Sequence, residues 1–433
     1  MGSTTKKGNV ANPGLAQAQD VPPPGFSVIT GPFELKIHDL PTGEAFLGWN
    51  PIVCSLKITN NPQPDLNVVL RNRSTSEGGQ IVFRDSFSGA DQDTLALTVS
   101  GDGSEVNFYM GGKFGSPSFH NQDGAVSVHD AGNNNVLHQR ALMVRIRKDA
   151  NVLTDVERDR FLAAFGALNG DTSVYQVFLD DHTGLTSGEI HGRPSFLPWH
   201  RAFILDLERR LQEKDSSVTL PYWRFELTAP NVFISEFMGG TPDSVGRVAL
   251  SVSNPLQLWT VNGDVGIIRV PGFNTSTGSP SLRTEVQTLA LGTNFTGFRD
   301  MEGNPHGWAH TSFSNGPITD NATATRDPLF FMLHSNVDRL WAKWQFANNG
   351  FDLANANTYS GSPRVGDNPA DTMWPWNGVF GGTRPPTAPG GRFPQLSFTS
   401  KPSELITVAE TIDYIGRAEG DELNFDYDDV PYI

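Results

Sequence analysis

The segment SFLPWHRAFILDLERRL, Ser195 to Leu211, puts a histidine where a helix has to be buried. From Trp199 onward the apolar residues follow a helical period, with Phe203, Ile204, Leu207 and Leu211 on one stripe, and His200 shares that stripe. DPLFFMLHSNVDRLWAKWQ repeats the pattern: His334 lies with Phe330, Phe331, Val337 and Trp341. In NPHGWAH, His306 and His310 stand four residues apart just after Pro305, so a helix there turns both rings to one face. An imidazole pointed into a core needs a partner. A chain with three such segments has to fold so that its buried histidines answer one another.

His182, His191 and His200 form one set of three and His306, His310 and His334 a second. Spacing alone does not make a site. His120, His129 and His138 repeat the H-x8-H-x8-H spacing of the first set but fall in strand and loop sequence, and are read as coincidence. The other six share helical or buried contexts, and shared metal ions explain all of them together. The candidate ligands are imidazoles, with no thiolate or evident carboxylate among them. Imidazole suits copper, zinc, iron and nickel, and the affinity order favours copper. Three histidines per ion leave positions open for an exogenous ligand, and two neighbouring ions could hold a diatomic molecule between them.

The chain has 433 residues, enough for two domains. From about residue 27 to 143 the pattern is strand-like. IVCSLKITN alternates, with Ile52, Cys54, Leu56 and Ile58 on one face. TLALTVSGDGSEVNFYM reads as a hairpin in which Leu95, Leu97 and Val99 face Val106, Phe108 and Met110 across Asp102-Gly103. Some seven short strands predict an antiparallel β-sandwich domain. Residues 1–26 read as a flexible leader. Near residue 144 the period changes. Thr154 and Glu157 form a capping box before DVERDRFLAAFGAL, and further helices are expected around 198–214, 305–313 and 327–346, separated by long Gly/Pro-rich loops at 238–281 and 359–395. The region from 144 to 433 is therefore expected to be mainly helical.

The net charge of −15 repels phosphate backbones, so nucleic acid is not expected as a partner. No apolar run is long enough for a membrane span. The N-terminus shows no signal-peptide core, which leaves cytoplasmic residence or export with a partner open. The single cysteine, Cys54, excludes an intrachain disulfide and reads as a small buried hydrophobe. Oligomeric state is not legible.

HGRPSFLPWHRAFILDLE and DPLFFMLHSNVD closely resemble the two signatures of the tyrosinase, catechol oxidase and haemocyanin group, the type-3 copper proteins. LPYWRFE, ADTMWPWNG and FDYDD extend the resemblance over about residues 144 to 433. The resemblance implies an antiparallel four-helix bundle around a dinuclear centre of two copper ions. By it, His182, His191 and His200 hold one copper, and His306, His310 and His334 hold the other. It implies O2 and a phenolic small molecule as reactants, and oxidation of o-diphenols to o-quinones with O2 reduced to water, accompanied by weaker hydroxylation of monophenols. Alternatives on the same site are an o-aminophenol oxidase and a haemocyanin-like O2-binding protein. A zinc hydrolase built on the same histidines does not fit signatures this specific.

Several positions qualify the resemblance. Many members carry a cysteine two residues before the second ligand; here that residue is Glu189, so no thioether is expected, as in bacterial members. Leu333 precedes His334 where the family often has a second histidine. Glu302 resembles the carboxylate that orders a water near the second copper, a water able to take a proton from a phenol. The companion asparagine of active monophenolases is replaced by Gly307. Asp338, one turn after His334, reads either as an outer-shell acceptor or helix-pairing carboxylate, or as a plain salt bridge to an arginine. The chain ends soon after FDYDD, so the C-terminal shielding domain of plant and fungal proenzymes is not expected, and the N-terminal β domain is a candidate to cover the copper entrance instead.

Overall fold

A computed structural model describes residues 31–73, 78–417 and 423–432. The expected leader, residues 1–26, lies outside these. Among the described residues, nine strands precede the first long helix: β1 (Phe33–Ile37), β2 (Phe46–Leu47), β3 (Ile52–Ile58), β4 (Leu66–Asn72), β5 (Ile81–Arg84), β6 (Thr94–Val99), β7 (Val106–Gly112), β8 (Gly124–Asp130) and β9 (Val136–Val144). They form two sheets, ordered β1-β3-β7-β5 and β2-β9-β8-β4-β6. All pairings are antiparallel except the short β2–β9 pair. Alternate residues of both sheets meet in one core, with Cys54, Leu56 and Phe108 from the first and Val68, Leu70, Val126 and Leu142 from the second.

The expected hairpin does not form. β6 pairs with β4, opposing Leu95 to Leu70, whereas β7 pairs with β3, opposing Phe108 to Cys54. Residues 100–105 carry the chain from one sheet to the other. Gly101 makes the crossing feasible: a Cβ there would lie 1.6 Å from the Gln63 carbonyl oxygen. Inward alternation is the same for two strands facing across a core as for two strands side by side, so the pattern cannot separate them.

After β9 the longer elements are helices: α1 (Asp155–Gly170), α2 (Thr172–Asp181), α3 (Ser187–Ile190), α4 (Phe196–Lys214), α5 (Glu285–Leu289), α6 (Phe295–Phe298), α7 (Trp308–Thr311), α8 (Leu329–Asn348) and α9 (Val408–Ile412), with two short strand pairs in the loops, Thr260–Val261 with Asp264–Val265 and Val270–Pro271 with Phe313–Asn315. The capping box is present: the Thr154 hydroxyl accepts from Glu157 N–H, and the Glu157 carboxylate accepts from Thr154 N–H. The helix expected over 305–313 is shorter: it starts as a π-turn at Gly303–Gly307, continues as α7 and stops at Thr311, because Phe313–Asn315 pair with Val270–Pro271 as strands. α4 packs on α1 and α8, and these helices share a second core, distinct from that of the sandwich.

A buried charge cluster ties the helices to the end of the strand region and to the C-terminal segment. Arg147, just beyond β9, donates to both oxygens of Glu208 on α4, to Asp338 Oδ2 on α8 and to the Tyr427 hydroxyl. Arg201 Nε donates to Asp338 Oδ1 at 2.5 Å, and Tyr427 donates to Asp338 Oδ2 at 2.7 Å. The Arg147 and Arg201 guanidiniums also stack on Phe425 and Trp341, each 3.9 Å from the ring centroid.

The strand region meets the helical region on the same side. Trp49 donates through its backbone N–H to Asp426 and through Nε1 to the Tyr427 carbonyl; Arg145 donates to the Ser216 carbonyl, and Arg160 to the Phe119 carbonyl. Glu208 already lies about 12 Å along α4 from His200, and Ser216 lies beyond the helix end. Among the described residues, no hydrogen bond joins the strand region to the six histidines or to Glu302 and Gly307. The strand region therefore docks away from the histidines rather than over them, contrary to the expected shielding role.

Asp338 is the acceptor common to both buried arginines. Asp338→Asn keeps its shape and removes its charge, leaving two guanidiniums under-compensated. We expect a stability loss of about 3 kcal/mol in denaturant unfolding; a loss within error of zero would show that the cluster is not a structural tie.

Candidate metal centre

The six histidines arrive from different elements. His182 follows the last residue of α2. His191 follows α3, and the turn after it is made by Gly192 at φ +68°, a left-handed conformation that favours glycine. His200 lies in the first turns of α4, His306 in the π-turn, His310 in α7 and His334 in α8. Five of the six are buried; His191 is half-buried. Within each set of three, ligand atoms lie within 4.8 Å of one another. The sets are contiguous: His200 and His334 stack with centroids 4.3 Å apart and planes 11° from parallel. The trio His120, His129 and His138 makes no such group.

Backbone carbonyls set the tautomers. Nδ1 of His200 donates to the Phe196 carbonyl at 2.8 Å, Nδ1 of His306 to Glu302 at 2.8 Å, and Nδ1 of His310 to Ile318 at 2.7 Å. A carbonyl only accepts, so these three rings carry the proton on Nδ1 and present the Nε2 lone pair inward. His200 Nε2 is buried without a hydrogen-bond partner among the described residues. Nε2 of His306 and of His310 each lie 3.3 Å from Nε2 of His334. A single proton on His334 could satisfy one of those contacts, not both, and the remaining lone pairs face each other.

Protonation does not relieve this. Burial, followed by the neighbouring imidazoles, holds His182, His200, His306 and His334 well below the usual histidine range. Burial also lowers His191 and His310 to about 4. Neutral imidazoles with converging lone pairs in a dry pocket form a donor set for a cation. Their borderline nitrogen chemistry, with no thiolate, fits copper. Phe330 covers this cluster, 4.2 Å from His334 and 4.8 Å from His182 between centroids, and Phe196 packs 4.5 Å from His200 and 4.9 Å from His306.

Glu302 lies beside the cluster. Its Oε1 accepts from Gly192 N–H at 2.6 Å, its carbonyl orients His306, and burial pushes its carboxyl up to about 7. Gly307 has helical angles, φ −59° and ψ −33°, and a Cβ there would lie 3.3 Å from the Glu302 carbonyl oxygen. Asp338, read as an outer-shell acceptor or helix-pairing carboxylate or as a plain salt bridge to an arginine, is bound to Arg147, Arg201 and Tyr427, so that its arginine pair joins α4 to α8, while His334 Nδ1 has no hydrogen-bond partner among the described residues. The arginine pairing is what the structure shows. Glu189 is buried against Arg193 and Arg384, and Cys54 lies in the sandwich core. Sequence reasoning missed the brace of the His191 loop, in which Asp367 accepts from Arg193 Nε at 2.9 Å and from the Ser195 hydroxyl at 2.8 Å. Asp367 sits in an aperiodic loop that gave no signal for it.

Residues 171–347 match the family model for the common central domain of tyrosinase. The chain is similar to a tyrosinase from Streptomyces glaucescens, 34% identical over 269 residues, covering 54% of this chain and 92% of that protein. It is similar to a tyrosinase from Streptomyces antibioticus, 33% identical over 263 residues, covering 54% and 93%. A functional unit of octopus hemocyanin aligns with a TM-score of 0.45 and 22% identity, covering 67% of this chain and 69% of that one. The two bacterial relatives are covered almost end to end and cross 30% identity, and the chain belongs to the tyrosinase family, copper-dependent oxidoreductases with a dinuclear centre.

Proposed function

We propose that this chain oxidises o-diphenols to o-quinones, with weaker hydroxylation of monophenols. His182, His191 and His200 hold one copper in this reading, and His306, His310 and His334 the other. In this reading α2, α4, α7 with its π-turn, and α8 are taken as the family's four-helix bundle, with His191 added from the turn after α3. The observation that carries the reading is the convergence of neutral, buried imidazole lone pairs, with Nδ1 fixed on backbone carbonyls. A bound copper pair supplies the two-electron chemistry that couples catechol oxidation to reduction of O2 to water. We also take the two cores as two domains, 27–143 and 144–433, with 1–26 as a leader.

The protein's own part is access, orientation and proton handling. His191 is the half-buried member, and its neighbours Gly192, Gly303 and Trp308 are exposed, so substrate approaches there. An open approach favours an enzyme over an occluded O2 carrier. Glu302 Oε2 has no hydrogen-bond partner among the described residues and can hold a water at this mouth. A water needs two partners to be aimed as a base. Gly307 offers no side chain for the second. A catechol chelates and needs little help to lose its protons, whereas a monophenol depends on that water.

His200→Ala and His334→Ala are expected to reduce catechol turnover to background while the circular dichroism of the fold persists. Wild-type-like turnover in either variant contradicts the ligand assignment. Gly307→Asn is expected to raise the ratio of monophenol to diphenol initial rates severalfold, because the backbone is already helical and only the Glu302 carbonyl has to yield. Glu302→Gln is expected to lower that ratio. If neither variant moves it, the ordered water does not govern the balance.

A further inference from the structure

An open hollow of about 370 Å³ adjoins the mouth of the metal centre, lined by Gly192, Arg193, Thr296, Arg299, Arg364 and Asp367 among others. Gly192 belongs to both places, since its N–H holds Glu302. Arg299 and Glu302 are the two ends of a 3₁₀ turn, Arg299–Glu302. Residues three apart eclipse in such a turn, with a rise of about 6 Å. Arg299 therefore stands over the same face as Glu302, about one benzene ring with a short substituent away.

The charges of this hollow set it apart on a chain of net charge −15. Arg193 is bound to Glu189 and Asp367, and Arg384 to Glu189. Arg364 is half-exposed and reaches Glu189 only at 3.6 Å. Arg299 makes no ion pair or side-chain hydrogen bond among the described residues. Arg299 thus remains available to an anion on the turn that carries Glu302, and Arg364 across the hollow keeps only a long contact to a carboxylate that Arg193 and Arg384 already bind. Arginine without a protein acceptor, beside a route to a reactive centre, is suited to a carboxylate. Long-range repulsion by the acidic chain would disfavour anionic substrates unless a local site offset it.

We infer that Arg299, with Arg364, forms an anion subsite that selects phenols and catechols bearing a carboxylate on the substituent opposite the reacting oxygens. The subsite deepens the phenol-oxidase reading and rests on it. The ring enters at His191, and the acid group stays outside in the hollow.

The test compares 3,4-dihydroxyphenylacetate with 4-methylcatechol in the copper-loaded enzyme. The readout is the ratio of kcat/KM for the acid to that for the neutral catechol. Arg299→Gln should lower this ratio about tenfold, Arg299→Glu should lower it further, Arg364→Gln should lower it by less, and added salt should lower it in wild type. Calorimetric titration with phenylacetate, which is not a catechol, gives a second readout: binding to wild type, and weaker binding to Arg299→Gln. An unchanged ratio in the Arg299 variants, or phenylacetate binding that ignores Arg299, overturns the subsite. Absence of any catechol turnover in wild type overturns the oxidase reading instead, and the phenylacetate titration still decides the subsite.

Discussion

Six imidazoles, five of them buried, converge where none of them can easily take a proton, and the rest of the structure is arranged around that constraint. Three rings have Nδ1 committed to the carbonyls of Phe196, Glu302 and Ile318, so in the neutral form their Nε2 lone pairs point inward. The Nε2 atoms of His306, His310 and His334 crowd to 3.3 Å. Burying several unsatisfied acceptors next to one another is costly, and a cation removes the cost for all of them at once. The same burial that makes the unliganded cluster unfavourable makes it selective for a metal over a proton.

Holding such a cluster requires rigid surroundings. α4 and α8 carry His200 and His334 on facing stripes and are locked together by Arg201 and Asp338, immediately after His200 and one turn beyond His334. Arg147 extends that lock to Glu208 and to the Tyr427 hydroxyl, which brings the end of the strand region and the C-terminal segment to one point. The strand region docks there, at the far part of α4, and leaves the His191 side open. On the open side the Asp367 brace fixes the loop bearing His191, and Arg299 and Arg364 line the hollow beside it.

Much of the site was legible in the sequence because helices impose a period. His200 and His334 betrayed themselves by sitting on apolar stripes, and His306 and His310 by their spacing of four. The capping box at Thr154 was equally local. What lay beyond reach was pairing between distant segments. The strands around Asp102-Gly103 alternate as a hairpin does, yet they enter different sheets, because alternation reports which face is buried and not which neighbour lies beside it. The sequence leaves Asp338 between several roles, since only the tertiary structure brings Arg147 and Arg201 together on it. Asp367, Arg299 and Arg364 lie outside any periodic segment, where position is set by tertiary contacts alone.

The central claim is that the six histidines form two copper sites of three ligands each. Native mass spectrometry of the copper-loaded chain tests it directly, since it counts ions per folded molecule without relying on turnover. The account predicts two coppers in the parent protein and at most one retained in either His182→Ala or His310→Ala. A parent chain that binds a single copper, or either variant retaining two, would contradict it.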